Sequence, residues 1–398
     1  MLEPYGRAEF DFFLYLLRSG HLKNLNSYWN FVDYQLVVDQ LLAAFAILNH
    51  HAAQNIVAEE ALDASLYTLS REKGVHMPRY QPVDALQSPR FCGIRTFARL
   101  PFVTTTEEVD ATIIGIPFDT GVTYRAGARF GPAAIRDASA LLRPYNPAVG
   151  VDVFGTLSVT DSGDISVVPG YIEDSYARIE TGLQPILEAG IIPICLGGDH
   201  SITLAELRAV SRSYGPLGLA HFDAHSDTWD EYFGRKYNHG TTFKRAAEEG
   251  LLDPLRCIQV GMRGPIYAAA DYEVARNLGF ALISNNEMRQ HSMAEVAAVV
   301  RERVGGGPTF LTFDVDFVDP AYTPGTGTPE VGGVTSWEAL QLLRGLCGAN
   351  FVAFDIVEVL PAYDPTQITA LLAANIAYEF LSLVSYRNSQ SINKGGLP

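Results

Sequence analysis

Three short runs of the chain concentrate carboxylates and imidazoles: Gly197-Gly198-Asp199-His200, His221-Phe222-Asp223-Ala224-His225-Ser226-Asp227, and Asp314-Val315-Asp316. In an extended segment alternate residues point the same way, so Asp223, His225 and Asp227 converge on one point, as do Asp314 and Asp316. Carboxylates packed this way repel one another and lose hydration, and a bound cation resolves both costs. Four such carboxylates with two histidines are enough for two ions that share bridging carboxylates, the arrangement of hydrolytic sites whose metals lie about 3.5–4 Å apart. An oxygen and nitrogen set without thiolate suits Mn²⁺, Ni²⁺, Co²⁺ or Fe²⁺ better than Cu⁺ or a structural zinc. Taken singly, each run also reads as a turn or a strand terminus; the argument for a metal centre is that all three fall at strand ends.

The strands in question belong to a regular alternation. Ala111–Ile116, Ile191–Leu196, Leu217–Phe222, Cys257–Val260, Phe310–Val315 and Phe351–Val357 are almost continuously apolar, and helical patterns over Tyr176–Ala189, Leu204–Ser213, Met293–Val304 and Trp337–Leu346 lie between them. Apolar strands alternating with helices predict a mainly parallel sheet covered on both faces, a three-layer α/β/α architecture. Such a sheet places its ligand site at the carboxyl ends of the strands, where the three runs stand. Ahead of this, Phe31, Tyr34, Val38, Leu41, Phe45 and Leu48 recur at helical spacing. Residues 1–88 are therefore expected to form a helical extension, and residues 89–398 the catalytic domain.

Composition narrows the function. Of 398 residues 47% are hydrophobic and only 19% charged, and the formal net charge is −16. A surplus of negative charge opposes nucleic acid and anionic membrane surfaces, and mildly favours a cationic small molecule. Cys92, Cys195, Cys257 and Cys347 form no C-x-x-C pair, which fits a reducing cytoplasm without a disulfide framework. The chain opens with no secretory pattern, and the apolar run Leu41 to Leu48 is far short of the roughly 20 residues a bilayer span needs.

The segments GGDHSIT (Gly197–Thr203), HFDAHSD (His221–Asp227), FDVDFVDPAYTPGTGTPEVGG (Phe313–Gly333) and GIPFDTGVTYRAGARFGPAAIR (Gly115–Arg136) resemble the ureohydrolases: arginase, agmatinase and relatives. The likeness runs collinearly from about Pro89 to the end of the chain and implies the arginase-like fold. It further implies two divalent ions, Ni²⁺ or Mn²⁺, that hydrolyse a guanidino group to urea and an amine. Asp223 and Asp314 would bridge the ions, His200 and Asp227 would complete one position, and His225 and Asp316 the other. By the same resemblance His239, in Tyr237-Asn238-His239-Gly240-Thr241, is the proton shuttle and Glu358 the carboxylate that holds the guanidinium; with Asp227 these form the expected catalytic set. A homo-oligomer, trimer or hexamer, is implied as well. The N-terminal helices are expected to dock against their own catalytic core, with that assembly, or recruitment of a metal-delivery factor, as the alternatives.

Two other motifs have competing readings. Gly325-Thr326-Gly327-Thr328 looks like a phosphate loop but lacks the following Lys-Ser/Thr and the dinucleotide frame, so it reads as active-site rim. The loop Thr123–Arg129 reads as rim rather than anion site. For the substrate, Thr323–Glu330 and Phe243–Gly250 look like the agmatinase and guanidino-acid hydrolase branch. The helical N-terminus and the aromatic loop Thr228–Phe233 are more similar to guanidine hydrolases. The expectation is free guanidine, with Trp229, Tyr232 and Phe233 as a cation-friendly box. Agmatine and 4-guanidinobutyrate are the alternatives. A non-catalytic subunit would be marked by a lost ligand, and all six ligand positions are intact.

Overall fold

The apolar runs become the interior of one parallel sheet. The computed structural model describes residues 78–395, and the helical pattern read over residues 1–77 lies outside them. The described residues form ten strands: β1 (Ala111–Ile116), β2 (Tyr145–Asn146), β3 (Val151–Asp152), β4 (Val159–Asp164), β5 (Ile192–Gly197), β6 (Leu217–Phe222), β7 (Leu252–Met262), β8 (Ala281–Ser284), β9 (Thr309–Asp314) and β10 (Phe351–Val357). Eight of them build the sheet in the order β4-β1-β5-β10-β9-β6-β7-β8, while β2 and β3 make a small antiparallel ribbon. Every pair in the large sheet is parallel. Helices cover both faces, and this is the mainly parallel three-layer fold expected.

The period-two alternation of side chains decides which helices each strand meets. Ile113, Ile194, Phe313 and Ile356 face one core with the helices Met293–Val304, Ser336–Arg344 and Ile368–Gly395. Their neighbours Ile114, Cys195, Phe310 and Val357 face the other, with Ile172–Glu188, Ile202–Tyr214 and Thr242–Glu248. The last helix is apolar on most of its surface. Its stretch Ile368–Gln390 has mean hydropathy 1.5 and is long and apolar enough to cross a membrane, but 83% of that window is buried in the fold, as for a core helix.

Three strands begin and end where the apolar runs do; β5 and β9 shift by one residue, and β7 is longer than its run. Edge strands β4 and β8 escape the pattern because neither has a continuous apolar run of any length: β4 reads VTDSGD, four of its six residues polar, and β8 has only four residues, all half-buried. The chain is tied to the sheet edge from Tyr80 onward. The Val159 amide donates to the Tyr80 carbonyl at 3.2 Å, Val83 N donates to Arg99 O at 3.2 Å, and the Arg99 guanidinium donates to Ser88.

Candidate metal centre and its cleft

Neighbouring strands β5-β10-β9-β6 sit in the middle of the sheet, although β5 and β6 are consecutive in the chain. The connection between them passes β10 and β9, which makes this the switch point where an open parallel sheet leaves a crevice at its carboxyl end. All four strands discharge their acidic and imidazole residues there: His200 after β5, Glu358 after β10, Asp314 and Asp316 at β9, Asp223 to Asp227 after β6. Two of the turns are forced. Asp227 and Glu358 have φ of 49° and 63°, the left-handed region that non-glycine residues avoid and that clusters at functional sites. At the β5 exit, Gly198 N donates to Ile116 O and Glu358 N to Gly198 O, so one turn links β1, β5 and β10.

His200 is buried, and its Nδ1 stands 3.0 Å from Asp223 Oδ2, 3.0 Å from Asp227 Oδ2 and 3.5 Å from Asp314 Oδ2. A second group forms beside it, with His225 Nδ1 3.1 Å from Asp316 Oδ2 and 3.4 Å from Asp223 Oδ1. The candidate ligand atoms of His200, His221, Asp223 and Asp227 lie within 4.8 Å of one another, as do those of Asp223, His225 and Asp316. Asp223 belongs to both groups. His200 Nδ1 and Asp316 Oδ2 are buried with no hydrogen-bond partner, so a nitrogen lone pair and a carboxylate oxygen point into a polar space that only a cation or a proton can satisfy. Oxygen and imidazole donors gathered around orphaned atoms fit a divalent metal.

The electrostatics agree. Burial pushes the Asp314 carboxyl well above its usual range, and Asp316 and Asp223 push it further. Asp316 rises to about 6, from burial first and Asp223 second. Burial disfavours the imidazolium of His200, yet the carboxylates of Asp223, Asp227 and Asp314 close to its Nδ1 outweigh it and raise that group well above its ordinary value. Asp223 moves the other way: burial would raise it, but His221, His200 and His225 hold it well below the usual carboxylate range. Without a metal the cluster recruits protons in place of cations.

Asp223 is also held from behind. His221 Nε2 meets Asp223 Oδ2 at 2.8 Å, while the Gln259 amide nitrogen meets His221 Nδ1 at 3.0 Å and donates to Ser226 O at 2.6 Å. Since an amide nitrogen only donates, His221 carries its proton on Nε2 and donates it to Asp223. The His221 ring packs on Phe243 at 4.2 Å between centroids, and burial lowers its pKa, so the ring stays neutral.

His239 and Glu358 form a pair beside this centre. His239 Nδ1 is 3.0 Å from Glu358 Oε1, the same oxygen that accepts the His200 amide at 3.0 Å. On the other side of the ring, Thr123 N donates to His239 Nε2 at 3.0 Å, which places the proton on Nδ1. Burial works against a charged His239, but Glu358 more than compensates and raises its pKa. Glu358 is 1% exposed and stands behind His239, outside the cleft lining. Its Oε2 is buried without a hydrogen-bond partner, under Gly327, where a Cβ would come within 3.0 Å. The Gly325–Thr328 stretch thus covers a carboxylate, consistent with its reading as rim.

A cleft of about 470 Å³ opens over the centre, and Asp227, Asp314, His225 and His239 form its floor. Trp229, Tyr232 and Tyr267 wall it in mutual edge-to-face contact, with centroid separations of 5.9, 6.0 and 6.1 Å. Phe233 lies at the mouth, 84% exposed, and the third wall is Tyr267, which sequence reasoning missed. Tyr267 comes from an irregular loop after β7 whose composition carries no signal of its destination. Gln259 and Thr312 were missed as well, and Thr123 was read only as part of a rim loop: each is an ordinary polar residue until the fold brings it to a histidine ring.

Residues 109–382 match the family model described as Arginase family. The chain belongs to the arginase family of guanidino-group hydrolases. It is 46% identical over 308 residues to a guanidinobutyrase of Pseudomonas aeruginosa, covering 77% of this chain and 97% of that protein. A guanidinopropionase of the same organism is 46% identical over 312 residues, covering 78% and 98%. Among solved structures, proclavaminate amidinohydrolase from Streptomyces clavuligerus superposes with a TM-score of 0.72 at 40% identity, covering 75% of this chain and all of that one.

Proposed function

We propose that the protein hydrolyses free guanidine, guanidinium and water giving urea and ammonium, at two divalent ions, Ni²⁺ or Mn²⁺. The observation that carries the substrate reading is the charge of the cleft wall: beyond the expected metal ligands it carries the carboxylate of Glu330 and the rings of Trp229, Tyr232 and Tyr267, and no Lys or Arg lines it among the described residues. Such a lining attracts a compact delocalised cation. It offers no permanent positive charge to the carboxylate of a guanidino acid, the substrate class named for two of the similar Pseudomonas proteins. Agmatine is the second reading, favoured by the size of the cleft and by Glu330 at its mouth as a partner for a second cation.

His200 and Asp227 would hold one ion, His225 and Asp316 the other, with Asp223 and Asp314 shared. When bound, such ions supply Lewis-acid polarisation and bring the pKa of a water close to neutrality. The rest falls to the chain's own groups. The aromatic walls Trp229, Tyr232 and Tyr267 flank the planar cation above the floor of the cleft. Glu358 holds the His239 ring from behind through Nδ1 and raises its pKa, so a proton for the departing nitrogen is passed on the Nε2 side, where the Thr123 hydroxyl stands at 2.8 Å, because ammonia leaves only when protonated. We further propose a cytoplasmic homo-oligomer, trimeric or hexameric.

The test is urea release from guanidine, agmatine, 4-guanidinobutyrate and arginine by protein loaded separately with Mn²⁺ and Ni²⁺, compared as kcat/KM. Guanidine should lead, and Trp229→Ala should weaken it through KM. A lead by 4-guanidinobutyrate would sink the charge argument while leaving the hydrolase intact.

A further inference from the structure

A row of polar side chains crosses the sheet one step below the metal-binding layer. In the strand register Cys195 of β5 stands opposite Asp355 of β10, Asp355 opposite Thr312 of β9, Thr312 opposite His221 of β6, and His221 opposite Gln259 of β7. All five are at most 1% exposed. The helix Ile202–Tyr214 adds to the row from above: Thr203 Oγ1 donates to Asp355 Oδ2 at 2.6 Å, and buried Glu206 lies against Cys195 and Asp355. Burying this much polarity costs free energy unless the groups do something for one another or for the site.

One end of the row already has a use, since Gln259 and His221 orient Asp223. In the middle of the row, His200 Nε2 meets Thr312 Oγ1 at 2.9 Å, on the opposite side of the ring from the carboxylates. Asp355 interacts with the Thr312 side chain, and its Oδ1 is buried with no hydrogen-bond partner. We infer that Thr312 and Asp355 are positioning residues for His200. The His200 Nε2–H donates to Thr312 Oγ1, and the Thr312 hydroxyl hydrogen turns to Asp355 Oδ1, so the lone pair of Nδ1 is locked toward Asp223, Asp227 and Asp314. Threonine here stands between carboxylate and histidine, extending by one hydroxyl the carboxylate–histidine pairing that fixes ring orientation and ligand basicity at metal sites. Thr203 holds the far oxygen of Asp355, which leaves Oδ1 free for this bond.

The inference rests on the two-ion reading, and its test reads metal affinity rather than turnover. Mn²⁺ and Ni²⁺ binding is measured by competition against a chelator for wild type, Thr312→Val, Thr312→Ser and Asp355→Asn, together with thermal melting of each metal-free protein. Thr312→Val keeps the shape and removes the hydroxyl, and its affinity should fall roughly 10- to 100-fold, the usual effect of losing an outer partner of a metal ligand. Thr312→Ser should restore affinity to within a few-fold, Asp355→Asn should fall in the same direction as Thr312→Val, and metal-free melting should not track the loss. Unchanged affinity in Thr312→Val overturns the relay. So does a loss that Ser fails to rescue and that follows the metal-free melting temperature. A wild type that binds no metal would instead remove the two-ion reading, and the relay with it.

Discussion

Asp223 is the most heavily committed side chain of the centre: one oxygen faces His200 and His221, the other His225. Replacing it should undo both groups. Asp223→Ala is expected to bind neither ion and release no urea, whereas His239→Ala, whose ring meets Glu358 and Thr123 rather than the carboxylate cluster, should retain the metals and lose turnover. Metal analysis of the two purified variants separates these outcomes, and metal loss in the histidine variant would make His239 a ligand. A pH dependence follows from the same charges. Asp316 titrates at about 6 and Asp199 at about 7, against 3.8 for an ordinary aspartate, each raised by burial first and by a neighbouring carboxylate second, Asp223 and Glu358 respectively. His200 is raised as well. In each case the folded state holds protons that the unfolded state has released, so the stability they contribute is lost as pH rises through the folded values. The melting temperature of metal-free protein should therefore fall from about pH 4 to about pH 7 as the two aspartates ionise, with His200 extending the fall beyond. Metal should flatten the trend by taking the protons' place, and a flat or rising profile without metal would contradict the charge assignment.

Between residues and fold, the decisive element is the turn that ends β5. A Cβ on Gly198 would overlap the Phe118 carbonyl oxygen, a backbone atom that also accepts the Asp199 amide at 2.8 Å. Gly198→Ala must therefore separate β5 from the loop after β1, and with it His200 from its carboxylates. We expect a loss of roughly 1–3 kcal/mol in stability, as for other overpacked positions, accompanied by weakened metal binding. Melting and chelator competition would show it, and an alanine variant with wild-type affinity would mean the turn does not set the His200 position. Much of this level was legible beforehand. Apolar runs announced the central strands, and the acidic residues stood where those runs stopped. Edge strands β4 and β8 were not legible, because a mostly polar segment and a four-residue one lack the continuous apolar signature of the interior.

On the scale of the whole molecule, every side chain assigned to the centre, its cleft and its outer partners lies within residues 78–395. A chain cut after residue 77 should keep its metal content and its urea release, measured against the full chain. Cutting at residue 88 instead would remove Tyr80, Val83 and Ser88, which hydrogen-bond to the sheet edge and to Arg99, and should lower the melting temperature. Solution scattering on the shorter cut reports particle mass. A drop would assign assembly to the extension, and an unchanged mass would place it in the catalytic unit.

From the sequence alone came the donor types, their two-residue spacing and their position at strand ends, because side-chain periodicity and the turn after a strand are local properties. The resemblance of four collinear segments to the ureohydrolases placed the chemistry. What only the tertiary structure decided is lateral: which strands stand side by side. Packing and crossover connections put β10 and β9 between β5 and β6, and that order brings Glu358 to His239 across 119 residues. It also sets Thr312 between Asp355 and His221, and delivers Tyr267 to the cleft beside Trp229. A lone threonine in a strand or tyrosine in a loop carries no mark of such neighbours, since its contacts are made by elements far away in the chain.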